Sequence, residues 1–93
     1  MKFPERPKIH YSELPPLIGD QLQEEHETYR AIVGRLIAEG HEGEFVLIKG
    51  SDVIGFWATQ QEAIAEGRRR FPLQPIYVHQ VQTWEPLNRV KAA

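Results

Sequence analysis

The sequence predicts an α+β fold, and three observations carry that prediction. Apolar residues recur at helical spacing between residues 21 and 39. Two β-branched and aromatic runs meet at Gly50-Ser51, the chemistry of a tight hairpin. Thr59-Gln60-Gln61-Glu62 then opens a second helix, which leads into a third strand-like run.

Residues 1–19 carry Pro4, Pro7, Pro15 and Pro16, which disfavour a long helix. Phe3, Ile9, Tyr11, Leu14, Leu17 and Ile18 make the segment too apolar for a free tail. It reads as an extended arm that packs along the domain or along another subunit. Residues 20–93 read as a single α+β domain with its core motif at 41–84.

Asp20 is placed to cap the first helix. Leu22, His26, Tyr29, Val33 and Leu36, widened by Ile32 and Ile37, form a stripe broad enough to lie on a core. Gly40 supplies the stop, so the predicted helix covers 21–39. Glu44–Lys49 and Asp52–Trp57 are the hairpin strands. A regular two-residue turn places Leu47 opposite Ile54 and Phe45 opposite Phe56, with Val46, Ile48, Val53 and Trp57 on the other face. Both faces are apolar and require cover.

The second helix runs to about Arg70 and turns Ala63, Ile64, Gly67 and Phe71 to the sheet. Gly67 costs roughly 1 kcal/mol against Ala in a helix, and close approach of a strand accounts for it. Ile76–Trp84 forms the third strand, ended by Pro86. The crossing helix returns that strand beside the first, giving an antiparallel three-stranded sheet in order 2-1-3. The first helix is left to cover the remaining face.

Ninety-three residues support one modest core. With a formal net charge of −2, the chain has no overall attraction for nucleic acid or anionic membrane. Absence of cysteine removes disulfides, thiolate nucleophiles and cysteine-based zinc sites. No stretch has the apolar length of a signal-peptide core or a membrane span, so a cytoplasmic protein is expected. Between Asp20 and Glu44 acidic residues outnumber basic ones, which describes a solvated acidic helix or a face for a basic partner.

Candidate chemistry is sparse. His41, Glu42 and Glu44 are residue types that bind metals, but their spacing matches no compact metal motif. His26 lies on the apolar stripe and reads as a packing histidine. Ser12 and Ser51 lack a nucleophile-elbow context, and Asp20 and Asp52 are explained by a cap and a turn. No glycine-rich phosphate loop is present. These residues predict no catalytic site, no cofactor and no metal.

Arg68, Arg69 and Arg70 end a helix, where cations complement the dipole. They could instead contact nucleic acid, with Trp57, Tyr77 and Trp84 offering stacking surfaces. Phe3, Tyr11, Trp57, Tyr77 and Trp84 exceed the aromatic needs of so small a core and read as protein-interface anchors. The competing account is that the first helix consumes that surface. The expected function is a non-enzymatic interaction module, homodimeric or bound to another protein. A nucleic-acid-binding or regulatory module using Arg68–Arg70 is the alternative.

Gly43–Gly50, Val53–Phe56, Thr59–Ala63, Gly67 and Pro75–Val81 together resemble a bacterial family of small proteins of unknown function. The pattern is a G-E-F-V-L-I-x-G strand and turn, V-x-G-F, and T-x-x-E-A, and it covers about residues 41–82. Its positions are turn glycines, core apolars and a helix cap, so the resemblance implies a fold and no site. It further implies an accessory role beside a retropepsin-like aspartic protease. This chain lacks the Asp-Thr/Ser-Gly triplet of such a protease.

Overall fold

The computed structural model describes residues 8–86. It contains strand β1 (Lys8–His10), a 3₁₀ turn (Tyr11–Glu13), helix α1 (Gln23–Ala38), strands β2 (Phe45–Lys49) and β3 (Asp52–Trp57), helix α2 (Gln60–Arg70), and strands β4 (Tyr77–Gln80) and β5 (Trp84–Pro86). The fold is α+β, with two antiparallel sheets. The three-stranded sheet has order β3-β2-β4, the order expected for hairpin strands followed by a returning third.

The second sheet was not foreseen. The third strand predicted over 76–84 stops at Gln80, and its last residues join a separate strand, β5, which pairs with β1 of the arm. Local contacts explain the break. Val81 is fully buried, and its amide donates to the Glu44 carbonyl while its carbonyl accepts from Gly43. Glu42 then takes both the amide and the hydroxyl of Thr83, turning the chain out of the sheet. The Tyr11 amide donates to the Thr83 carbonyl at 2.9 Å and draws the arm alongside. The arm packs along the domain, with Leu14 only 2% exposed inside the core.

Helix α1 begins later than expected, at Gln23. Its N-cap position is Leu22, with no side-chain cap, so Asp20 is not the helix cap. The Asp20 carboxylate instead accepts from the Leu22 amide at 2.7 Å in the preceding turn. The helix ends in a Schellman arrangement. Gly40, at φ +92°, donates to Ile37, and His41 donates to Leu36.

The hairpin turn holds Gly50 at φ +61°, as a II′ turn requires. α1 clamps this turn. Buried Glu25 accepts from the Gly50 amide at 2.7 Å, and the Thr28 hydroxyl donates to the Gly50 carbonyl at 2.8 Å.

The expected hairpin register needs correction. Ile48 pairs with Val53, but Leu47 pairs with Gly55, Val46 with Phe56 and Phe45 with Trp57. One extra residue, Ile54, sits as a bulge and moves every following side chain to the opposite face. Phe56 therefore packs with the α1-side core, and Trp57 shares a face with Phe45 and Leu47.

The larger core lies between α1 and the sheet, built from Tyr29, Val33 and Leu36 against Val46, Ile48, Tyr77 and Val81. α2 covers the other face. Its capping box is complete, with Thr59 Oγ1 accepting from the Glu62 amide and Glu62 accepting from the Thr59 amide. A Cβ at Gly67 would lie 2.8 Å from Ile76 Cδ1 and 3.2 Å from Leu47 Cδ1, which is the close approach inferred from the sequence.

Candidate functional site

Alternation along β4 sends Tyr77 and His79 to the α1 side of the sheet, because their partners Ile48 and Val46 face that way. Steps of three along α1 bring His26 and Tyr29 onto them. β5 supplies Glu85, which is fully buried. The result is a continuous polar chain inside an otherwise apolar core.

His26 Nε2 lies 3.0 Å from the Pro15 carbonyl, which can only accept, so Nε2 carries a hydrogen. His26 Nδ1 lies 2.7 Å from the Tyr77 hydroxyl and, in the neutral ring, accepts from it. The Tyr77 oxygen is 3.4 Å from His79 Nδ1. His79 Nε2 sits 2.8 Å from both oxygens of Glu85 and donates to the carboxylate. The Tyr29 hydroxyl lies 3.2 Å from Glu85 Oε2 and 3.2 Å from the Gln80 carbonyl. Among the described residues, every buried side-chain polar atom has a partner.

Burial penalises the charged forms here. Desolvation is the main cause holding His26 below its usual value of 6.5, with the His79 charge adding to it and the Pro15 carbonyl opposing. Desolvation also pushes the Tyr29 and Tyr77 phenols well above the usual tyrosine range, and the Glu85 charge acts in the same direction. Both tyrosines are neutral hydrogen-bonding groups at physiological pH. The ring nitrogens of His26 and His79 all face partners inside the fold.

The predicted interface anchors separate into distinct environments. Tyr77 is 6% exposed and belongs to the core and the polar chain, which corrects its assignment as a surface anchor. Trp57 is half-buried, its indole folded over Gly55, where a Cβ would meet the ring at 2.9 Å. Phe3 lies outside the described residues.

Tyr11 and Trp84 come together on the β1–β5 ribbon. His10 pairs with Trp84 across it, and its ring stands edge-on to the indole at 5.0 Å and 4.3 Å from the Tyr11 ring. Tyr11 leans on α1 at Gly34, where a Cβ would lie 3.1 Å from its ring. Trp84 itself is 54% exposed.

Arg68, Arg69 and Arg70 are exposed at the end of α2. Glu66 pairs with Arg69 at 2.8 Å and Arg70 at 3.5 Å, so its carboxylate offsets part of the cluster's charge. The Arg69 hydrogen bond holds the Glu66 carboxyl below the usual range. His41 is 2.6 Å from Glu44 and stacks flat on Phe56, with ring centres 3.7 Å apart. No group of three or more residues suited to a metal occurs among the described residues. No helix there is long and apolar enough to cross a membrane.

The residues missed in the sequence are Tyr29 as a hydrogen-bonding group, His79 and Glu85. His79 carried a usable signal, since it shares the inward face of its strand with Tyr77. Glu85 did not, because its burial depends on the separate strand β5. No family model matches this chain, and neither a curated protein nor a solved structure matches it significantly.

Proposed function

We propose that this protein is a small non-enzymatic interaction module whose binding surface is centred on Trp84 and Tyr11. The observation that carries the reading is the contrast along β5. Trp84 is 54% exposed while the next residue, Glu85, is fully buried and hydrogen-bonded. An indole held out on a strand whose neighbour is locked into the core loses little conformational freedom on binding. That is the character of an interface hot spot. His10 and Tyr11 extend the aromatic area beside it.

Both nitrogens of His26 and of His79 are directed at protein groups, which gives these two buried rings a structural role and leaves the exposed aromatic surface as the feature that needs a partner. A second copy of the chain is the first partner to test. A retropepsin-like aspartic protease is the partner that the sequence resemblance implies.

The test compares wild type and Trp84→Ala by light scattering over a concentration series, and then by capture of a purified candidate partner. The reading expects association that Trp84→Ala weakens at least tenfold while circular dichroism stays unchanged. Equal masses and equal capture for the two proteins refute it.

A further inference from the structure

The polar chain can take up a single proton without losing a hydrogen bond, either on His79 Nδ1 or on His26 Nδ1 with the Tyr77 hydrogen turned to His79 Nδ1. His26 Nε2 is committed to Pro15, so its Nδ1 is the acceptor of the Tyr77 hydrogen. A first added proton fits on His79 Nδ1, where it points at the Tyr77 oxygen, while Nε2 keeps its bond to Glu85. A second proton, on His26 Nδ1, turns that acceptor into a donor facing the Tyr77 hydroxyl. The Tyr77 hydrogen is then displaced towards a His79 nitrogen that already carries one. Two imidazolium rings would also stand 6.4 Å apart in a desolvated core.

The groups that face the chain are few. α1 contributes His26, Tyr29 and, at longer range, Glu27 and Arg30, the first favouring and the second opposing charge on His26. β4 contributes Tyr77 and His79, and β5 contributes Glu85. β2 offers only the apolar Val46 and Ile48, and the arm offers the Pro15 carbonyl. β1 places His10 against Trp84, on the outer side of the ribbon. Pro15 in the arm and Glu85 in β5 close the two ends of the chain, so lifting that outer layer is the opening that hydrates both imidazolium rings while leaving the β2–β3–β4 ladder paired.

We propose that Glu85, His79, Tyr77 and His26 form a pH-sensitive latch that holds the β1–β5 ribbon on the core at neutral pH and releases it in acid. Release removes the base on which Trp84 and Tyr11 are presented. That consequence for binding rests on the function proposed above, whereas release of the ribbon does not.

The experiment is amide hydrogen exchange by NMR on the full chain between pH 7.5 and 4.5, corrected for intrinsic exchange rates. Protection of the Tyr11 amide and the β1–β5 amides is expected to fall by up to about tenfold per pH unit, the limit for uptake of one proton. The β2–β3–β4 amides are expected to change less. Parallel loss of protection in both sheets, or none in the ribbon, overturns the latch. His26→Gln keeps a donor for Pro15 and an acceptor for Tyr77 without titrating. It is expected to flatten the ribbon's pH dependence, and a folded variant that retains the wild-type dependence also overturns the assignment. Light scattering of the same samples separates the two ideas. Ribbon release with no association at any pH contradicts self-association through Trp84 and leaves the latch standing.

Discussion

Gly67→Ala is the perturbation whose sign the structure decides against propensity. Alanine in a helix interior is favoured over glycine by about 1 kcal/mol. Here the new methyl would sit 2.8 Å from Ile76 Cδ1 and 3.2 Å from Leu47 Cδ1. Both contacts are ends of side chains that can move, but Leu47 is fully buried between sheet and helix and has little room. Overpacking of this kind costs roughly 1–3 kcal/mol, so the net effect is a destabilisation of about 1 kcal/mol. For a chain of this length that lowers Tm by roughly 4–8 °C.

Ile76→Val removes the closest atom, at its own cost of about 1 kcal/mol. In that background Gly67→Ala should be neutral or stabilising. The assay is urea unfolding of the four proteins followed by circular dichroism, and the coupling energy should be on the order of 1–2 kcal/mol. An unpaired Gly67→Ala that stabilises by about 1 kcal/mol, with no coupling to residue 76, refutes the packing argument.

Glu25→Ala removes the acceptor for the Gly50 amide. It should cost about 1–3 kcal/mol in the same unfolding assay, with Glu25→Gln recovering most of the loss. Thr59→Ala opens the α2 capping box and should cost about 1 kcal/mol. His26 is held below its usual value of 6.5, so in the window beneath that value the unfolded chain binds a proton that the folded chain does not. Stability should therefore fall as pH drops below about 6.5, with a contribution from this group of at most ~1.4 kcal/mol per pH unit. His26→Gln, measured by thermal unfolding between pH 5 and 8, should lose that contribution.

Elements whose cause is local were legible in the sequence. The stop at Gly40, the turn at Gly50 and the box at Thr59 and Glu62 each depend on a few consecutive residues, and the structure places them where expected. The three-stranded order followed from connectivity. Long-range choices were not legible.

The bulge at Ile54 reverses the faces of Phe56 and Trp57, and nothing in Val53-Ile54-Gly55 announces an extra residue beyond the glycine itself. The break after Gln80 requires Glu42 to reach Thr83 across the fold. Once β5 is separate, Trp84 turns outward and Glu85 inward, and the candidate site exists only because of that change. Tyr77 was misassigned for a related reason. Its aromatic character fits an interface, but its face of β4 is the one α1 covers.

The most direct test of the account is the solution mass of wild type and Trp84→Ala by light scattering at neutral pH, across a concentration series. The account predicts that wild type rises above the 10.8 kDa of one chain as concentration increases while a folded Trp84→Ala stays close to it. Identical masses for the two proteins at every concentration would contradict a self-interface centred on Trp84.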